Sequence, residues 1–248
     1  MTLFTKPTCL NDCVLTPKTR TTLEEILTGI RPFAKYGKTG LILYGVFGSG
    51  KTTLANILPG LIEVTKSTNV LETTHIGDVH TKNPYFIRHS CDARASIMNS
   101  IQNRIESGIG SFNPSSLNYY ILDEVDNLTA PALASLKGAM NSPYSVFIMT
   151  TNNLNKLSPG ILDRSYQLQM DQVPDNIWLQ YIQQVCTQNG ICSVNDQQLL
   201  PLIKSGQGSC RTILSNVETF FNKRQAIAPI TTPASNGGTF VNNNVTVA

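Results

Sequence analysis

The stretch Gly45-Val46-Phe47-Gly48-Ser49-Gly50-Lys51-Thr52 constrains this chain more than any other part of it. It fits G-x-x-x-x-G-K-[ST], the phosphate-binding P-loop. The apolar run Leu41-Ile42-Leu43-Tyr44 before it reads as a strand, and Thr53-Leu54-Ala55-Asn56-Ile57-Leu58 after it reads as the first turns of a helix. That context is the one the loop requires. Its glycines let the backbone turn its N–H groups toward phosphate, and the helix adds the positive end of its dipole. In this reading Gly45 to Thr53 form the nucleotide cradle, Lys51 reaches the β- and γ-phosphates, and Thr52 ligates Mg²⁺.

A cradle binds nucleotide but does not hydrolyse it. Hydrolysis needs a second carboxylate for the cation and a group that orients water. Asn118-Tyr119-Tyr120-Ile121-Leu122-Asp123-Glu124 supplies both at a strand end, with Asp123 at the Mg²⁺ shell and Glu124 on the attacking water. The next strand, Val146 to Thr151, runs into Asn152-Asn153. Asn152 is positioned to touch the γ-phosphate or the lytic water, and Asp126 to shape the turn after the acidic pair.

From Leu41 to Met170 strands and helices alternate, the pattern of a parallel α/β sheet flanked by helices. Strands are expected at 85–88, 118–122, 145–149 and 166–170. Helices are expected at 22–30 with a Thr21 or Thr22 cap and Glu24 and Glu25 in the first turn, at 92–107 with Asp92 as cap, and at 129–140. Beyond Asp175 the alternation stops, and three helical segments follow, near 175–188, 196–204 and 209–223. The expected organisation is a nucleotide-binding domain over 1–172, a small all-helical lid over 173–225 and a disordered polar tail over 226–248.

Charged residues make up 14% of the chain and the net charge is +3, too small to argue for nucleic acid by itself. No signal-peptide core stands at the N-terminus, and no run approaches the roughly 20 apolar residues of a membrane span. These features read as a cytoplasmic protein, or a nuclear one in a eukaryotic or viral host, neither secreted nor bound to membrane. The six cysteines, Cys9, Cys13, Cys91, Cys186, Cys192 and Cys210, form no C-x-x-C pair and read as free thiols. His75, His80 and His89 read as surface or structural residues.

In their order and spacing these motifs resemble the AAA+ ATPases, and within them clamp-loader small subunits of the replication factor C type. Leu43 to Thr53 is similar to that family's LLLYGPPGTGKT segment, His89 to Arg94 to a degenerate N-A-S-D-x-R, and Ile121 to Thr129 to ILDEAD-x-x-T. The similarity covers about residues 3–225. It implies an AAA+ sheet with a helical lid, ATP and Mg²⁺ as cofactors, and a homo- or hetero-oligomeric ring with DNA in its channel. Leu157 to Ser165 resembles P-x-x-x-S-R-C, which implies that Arg164 is a finger presented to the neighbouring subunit's ATP. Gly208 to Arg211 resembles the G-D-x-R start of the sensor-2 helix, which implies that Arg211 reaches the γ-phosphate from the lid. The family's D-x-[VI]-[VI]-G box falls near Asp12-Cys13-Val14 and implies adenine packing at Val14.

The chain also departs from the pattern. Val46 and Phe47 replace two prolines, Asp163 and Ser165 flank the finger arginine where Ser and Cys are usual, and 66–83 looks like an insertion. Clamp loaders carry a third, collar domain, for which these residues leave no room.

Two functions of different class follow. One is an oligomeric ATPase acting on DNA in replication or recombination, with the 92–107 helix lining the channel, Arg94 and Arg104 on phosphates, and a sliding clamp, helicase or other replication protein as partner. The other is an assembly or adaptor ATPase that remodels or loads a protein partner through the insertion and the tail. A pure nucleotide switch would need no finger.

Overall fold

The computed structural model describes residues 3–67, 74–81, 86–91, 96–107, 111–191 and 194–227. Five strands, β1 (Gly40–Tyr44), β2 (Phe86–Ser90), β3 (Asn118–Asp123), β4 (Ser145–Thr151) and β5 (Ser165–Gln169), form one parallel sheet in the order β2-β3-β4-β1-β5. β4 separates β1 from β3, so the loops after these three strands open side by side at the carboxyl edge of the sheet, where open α/β sheets bind their ligands.

The central strands are continuous apolar runs because both of their faces are buried. On one face Leu41, Leu43, Tyr119, Ile121, Val146 and Ile148 pack under α1 (Pro17–Leu27) and α2 (Lys51–Ser67). On the other, Ile42, Tyr120, Leu122, Phe147 and Met149 pack under α3 (Ser96–Glu106), α4 (Ala130–Ala139) and the short α5 (Pro159–Asp163). The edge strand β2 is only half covered.

Three further helices, α6 (Asp175–Gln188), α7 (Asp196–Ser205) and α8 (Cys210–Ile227), share a cluster of their own around Trp178, Ile182, Leu199, Ile203, Ile213 and Val217. Leu3 and Val14 belong to that cluster, and the Phe4 ring stacks on Tyr181 at 6.2 Å. The N-terminal segment therefore links the helical part to the P-loop side of the sheet.

Several boundaries differ from the sequence reading. α1 begins at Pro17, capped by Thr16, whose hydroxyl accepts from the Thr19 N–H. Thr21 and Thr22 lie inside the helix, and Glu24 and Glu25 fall toward its end, not in its first turn. α2 continues to Ser67 straight through Pro59-Gly60. The burial of Leu58, Leu61 and Ile62, none more than 1% exposed, outweighs the lost N–H. β4 ends at Thr151, where the run into Asn152-Asn153 put it, and α8 extends to Ile227.

Within the region read as an insertion, His75 caps a turn at Ile76–Asp78 that docks on the N-terminal segment through Asn11 to Asp78 and Thr8 to His80. Ile76 and Val79 are buried there. Asp92, Arg94, Cys192, 68–73, 82–85 and the tail from 228 lie outside the described residues. Cys9, Cys13, Cys91, Cys186 and Cys210 are free thiols. Among the described residues no helix is long and apolar enough to cross a membrane.

Candidate nucleotide site

The P-loop leaves β1 at Gly45 and ends at Lys51, the first residue of α2. Two of its glycines are required by space. Gly45 has φ +146°, and a Cβ there would lie 2.5 Å from the Met170 carbonyl oxygen; Gly48 has φ +75°, and a Cβ there would lie 2.4 Å from Ser209 Oγ. The loop is thus pressed between the end of β5 and the start of α8. The Lys51 ammonium donates to the carbonyls of Gly45 at 3.0 Å and Val46 at 2.6 Å. Burial holds its pKa below the usual lysine range, although Asp123, Asp126 and Glu124 pull the other way.

Asp123 ends β3 and is the best-anchored carboxylate of the site. Its Oδ1 accepts from Thr150 Oγ1 at 2.5 Å and Thr52 Oγ1 at 3.0 Å, and its Oδ2 accepts from Arg88 Nη2 at 2.7 Å. Burial opposes its charge, but the hydrogen bonds from Thr150, Arg88 and Thr52 outweigh burial and hold the carboxyl below the ordinary range. Because Thr52 directs its proton to Asp123, both lone pairs of its oxygen stay available to a cation.

Glu124 follows in the left-handed region, φ 58° and ψ 51°. Its N–H donates to Thr150 Oγ1 at 3.0 Å, and its exposed carboxylate accepts from Asn127 Nδ2 at 3.2 Å. A non-glycine residue in that conformation is strained, and such strain gathers at functional sites. Asp126 accepts from Thr151 Oγ1 at 2.8 Å and so ties the turn to β4.

Phe47, Gly48, Gly50, Lys51, Thr52, Thr53, Asp123, Glu124, Thr150, Asn152 and Arg211 line one open cleft of about 980 Å³. Asn152 stands at the tip of β4 between the P-loop and Asp123; its buried Oδ1 has no hydrogen-bond partner among the described residues. Arg211 enters from the first turn of α8. Next to this cleft lies a mostly apolar pocket of about 570 Å³, walled by Val14, Leu15, Ser49, Met170, Trp178, Tyr181, Cys210 and Leu214 among others. Burial pushes the Cys13 thiol up to about 12 and the Cys210 thiol up to about 11, so both are neutral lining at physiological pH. Ser49 Oγ is likewise buried without a partner among the described residues.

These features fit a nucleoside triphosphate with its Mg²⁺. A helix N-terminus and a lysine face the polar cleft, two buried polar atoms lack partners among the described residues, Thr52 and Asp123 can hold a hard cation, and a mostly apolar pocket adjoins.

The sequence-derived residues thus fall into two groups. Lys51, Thr52, Thr53, Asp123, Glu124, Asn152 and Arg211 share the cleft with Phe47, Gly48 and Gly50; Ser49 and Val14 line the adjoining pocket, and Gly45 and Val46 line neither. Arg164 does not join them. It caps α5, and its carbonyl accepts the N–H of Gly40, the first residue of β1, at 3.0 Å. Its guanidinium is held by Asn141 Oδ1 at 3.0 Å and the Gly160 carbonyl at 2.9 Å. About 15 Å of strand separates it from the P-loop of its own chain. Two residues of the site escaped the sequence reading: Thr150, hidden in an apolar strand, and Arg88. The legible signal for Arg88 was a charge directly after the apolar run Tyr85-Phe86-Ile87.

The family described as magnesium chelatase, subunit ChlI, matches residues 31–154, half of the chain. The replication factor C small subunit of Thermoplasma acidophilum is 25% identical over 185 residues, 73% of this chain and 53% of that protein. DNA polymerase III subunit gamma/tau of Mycoplasma genitalium is 25% identical over 193 residues, 74% of this chain and 31% of that protein. The chain therefore spans about a third to a half of the length of these curated relatives. In fold it is similar to the Holliday junction branch migration motor RuvB of Thermotoga maritima, with a TM-score of 0.62 at 14% identity, covering 92% of this chain and 68% of that one. A point mutant of the same protein gives a TM-score of 0.65 at 15% identity, covering 90% and 68%. On the matched family, the parallel sheet and the clamp-loader relatives together, the chain belongs to the magnesium chelatase subunit ChlI family, within the AAA+ ATPases.

Proposed function

We propose that this protein hydrolyses ATP to ADP and phosphate at the seam between two copies of itself or between itself and a related subunit, and uses the cycle to act on DNA in replication or recombination. The observation that carries the chemistry is the convergence of Lys51, Thr52, Asp123, Glu124, Asn152 and Arg211 on one cleft beside an apolar slot. The clamp-loader relatives support the DNA role.

In this reading the apolar slot takes the base, against Val14, and the P-loop takes the phosphates. Lys51 exchanges its two carbonyl partners for phosphate oxygens. Thr52 directly, and Asp123 beside it, would hold Mg²⁺. Bound there, the cation would neutralise charge that develops on the phosphoryl oxygens. Glu124 leaves Asn127 and orients the attacking water, taking its proton. Asn152 fixes that water or the γ-phosphate, and Arg211 connects the γ-phosphate to the lid. Arg164, at the amino edge of the sheet, serves the cleft of the next subunit, where a guanidinium in trans is worth roughly 10³–10⁵ in rate.

The site is incomplete without a second subunit, which is why an oligomeric ring is part of the proposal. Residues 1–172 would form the nucleotide-binding domain and 173–225 the lid. DNA would run along α3, with Arg104 on the phosphates, and a sliding clamp, a helicase or another replication protein would be the partner. The compartment would be the cytoplasm, or the nucleus of a eukaryotic or viral host.

The test is the ATPase rate with no DNA, single-stranded DNA and double-stranded DNA over a salt series. Stimulation that fades with salt is expected, because phosphate contacts release counterions. A rate indifferent to every nucleic acid would move the assignment to the adaptor class.

A further inference from the structure

Arg88 has no role in the chemistry above, yet it makes the only ion pair to Asp123 among the described residues, 2.7 Å from Nη2 to Oδ2. It reaches that carboxylate by register. On β2, Arg88 stands beside Ile121 and Ser90 beside Asp123, so all four occupy the sheet face that carries α2 and Thr52. Arg88 lies on the outer side of Asp123, and it is not among the residues that line the cleft. The guanidinium side chain is 44% exposed and the carboxylate 13% exposed, so the pair sits at the boundary between solvent and site.

Asp123 does not need Arg88 for its orientation. Thr150 and Thr52 already hold Oδ1. What Arg88 adds is occupancy of the second oxygen and a fixed positive charge next to the place where Thr52 and Asp123 would receive a dication. A neighbouring cation lowers a carboxylate's affinity for any cation, as it does for a proton.

We propose that the Arg88 charge weakens the cleft's affinity for a divalent cation, so that the cation enters together with the phosphates of a nucleotide and not ahead of them. The proposal rests on the ATPase reading for the purpose of the cation, though not for its test.

The test uses the full chain and Mn²⁺ alone as probe, with free Mn²⁺ followed by electron paramagnetic resonance. The proteins are wild type, R88Q, R88K, D123N and the R88Q/D123N double variant. R88Q is expected to lower the half-saturating Mn²⁺ concentration about tenfold, the low end of what one adjacent charge does to a carboxylate. R88K, which keeps the charge, should stay near wild type and so separates a charge effect from a folding defect. In the D123N background R88Q should change nothing.

Unchanged or weaker Mn²⁺ binding in R88Q overturns the proposal, as does a gain that persists without the Asp123 carboxylate. A parallel arm measures ADP binding to wild type with and without Mg²⁺. Absence of ADP binding there would refute the nucleotide reading, while the Mn²⁺ arm alone decides the role of Arg88.

Discussion

Thr150 Oγ1 donates its proton to Asp123 Oδ1 at 2.5 Å and itself accepts the Glu124 N–H at 3.0 Å. One buried hydroxyl on β4 thus fixes both acidic residues that end β3. Thr150→Val keeps the shape and removes the bridge, leaving a backbone N–H without its acceptor. The expected cost is about 1–3 kcal/mol of stability in urea unfolding, with weaker Mg²⁺-nucleotide binding. Thr150→Ser should keep most of both.

Removing the cradle charge and removing the water-orienting group should separate binding from chemistry. Lys51→Ala is expected to abolish fluorescent-ADP binding. Glu124→Gln should bind nucleotide near wild-type strength while turnover falls about 10²–10⁴-fold, the usual contribution of a positioned base. Equal loss of binding in both variants would mean that Glu124 is structural.

The Asp123 carboxyl titrates below its ordinary value because Thr150, Arg88 and Thr52 hold the charged form against burial. A depressed folded-state pKa stabilises above the unfolded value, about 3.9 for aspartate, and that stability is lost as pH falls through the folded value. Unfolding measured from pH 6 down to pH 2 should show this loss below about pH 4. Asp123→Asn should flatten that part of the curve.

Two glycine substitutions should differ for a geometric reason. At Gly45 a Cβ meets the Met170 backbone oxygen, which cannot yield, whereas at Gly48 it meets the rotatable Ser209 hydroxyl. Both also carry the cost of a positive φ, roughly 1–3 kcal/mol. Thermal melts should therefore rank Gly45→Ala below Gly48→Ala, and Ser209→Ala should recover part of the loss in Gly48→Ala but none in Gly45→Ala.

What could be read from the sequence was what burial and glycine geometry write locally. β1, β3 and β4 are apolar runs because both faces are covered, and the P-loop declares itself through Gly45, Gly48 and Gly50. Lys51 follows from its place at the start of α2, and Asp123, Glu124 and Asn152 from theirs at strand ends. The start of α1 is set earlier than its acidic residues suggest, by Thr16-Pro17, a cap followed by a proline at the first helical position.

Thr150 and Arg88 required the strand order. Neither becomes a partner of Asp123 until β3 is known to lie between β2 and β4. The docking of His75 to Thr81 onto the N-terminal segment is likewise a tertiary fact, carried by Asn11–Asp78 and Thr8–His80 rather than by any local pattern.

The central claim is that each ATP is cleaved with one residue set from one subunit and Arg164 from another. The most direct measurement mixes Arg164→Ala with Glu124→Gln, each inactive alone, and follows phosphate release across protein concentrations. In head-to-tail contacts about a quarter of the interfaces in an equal mixture pair an intact cleft with an intact arginine, so activity up to that fraction of wild type should return. Silence of the mixture, with wild-type turnover per chain that does not change on dilution, would contradict the account.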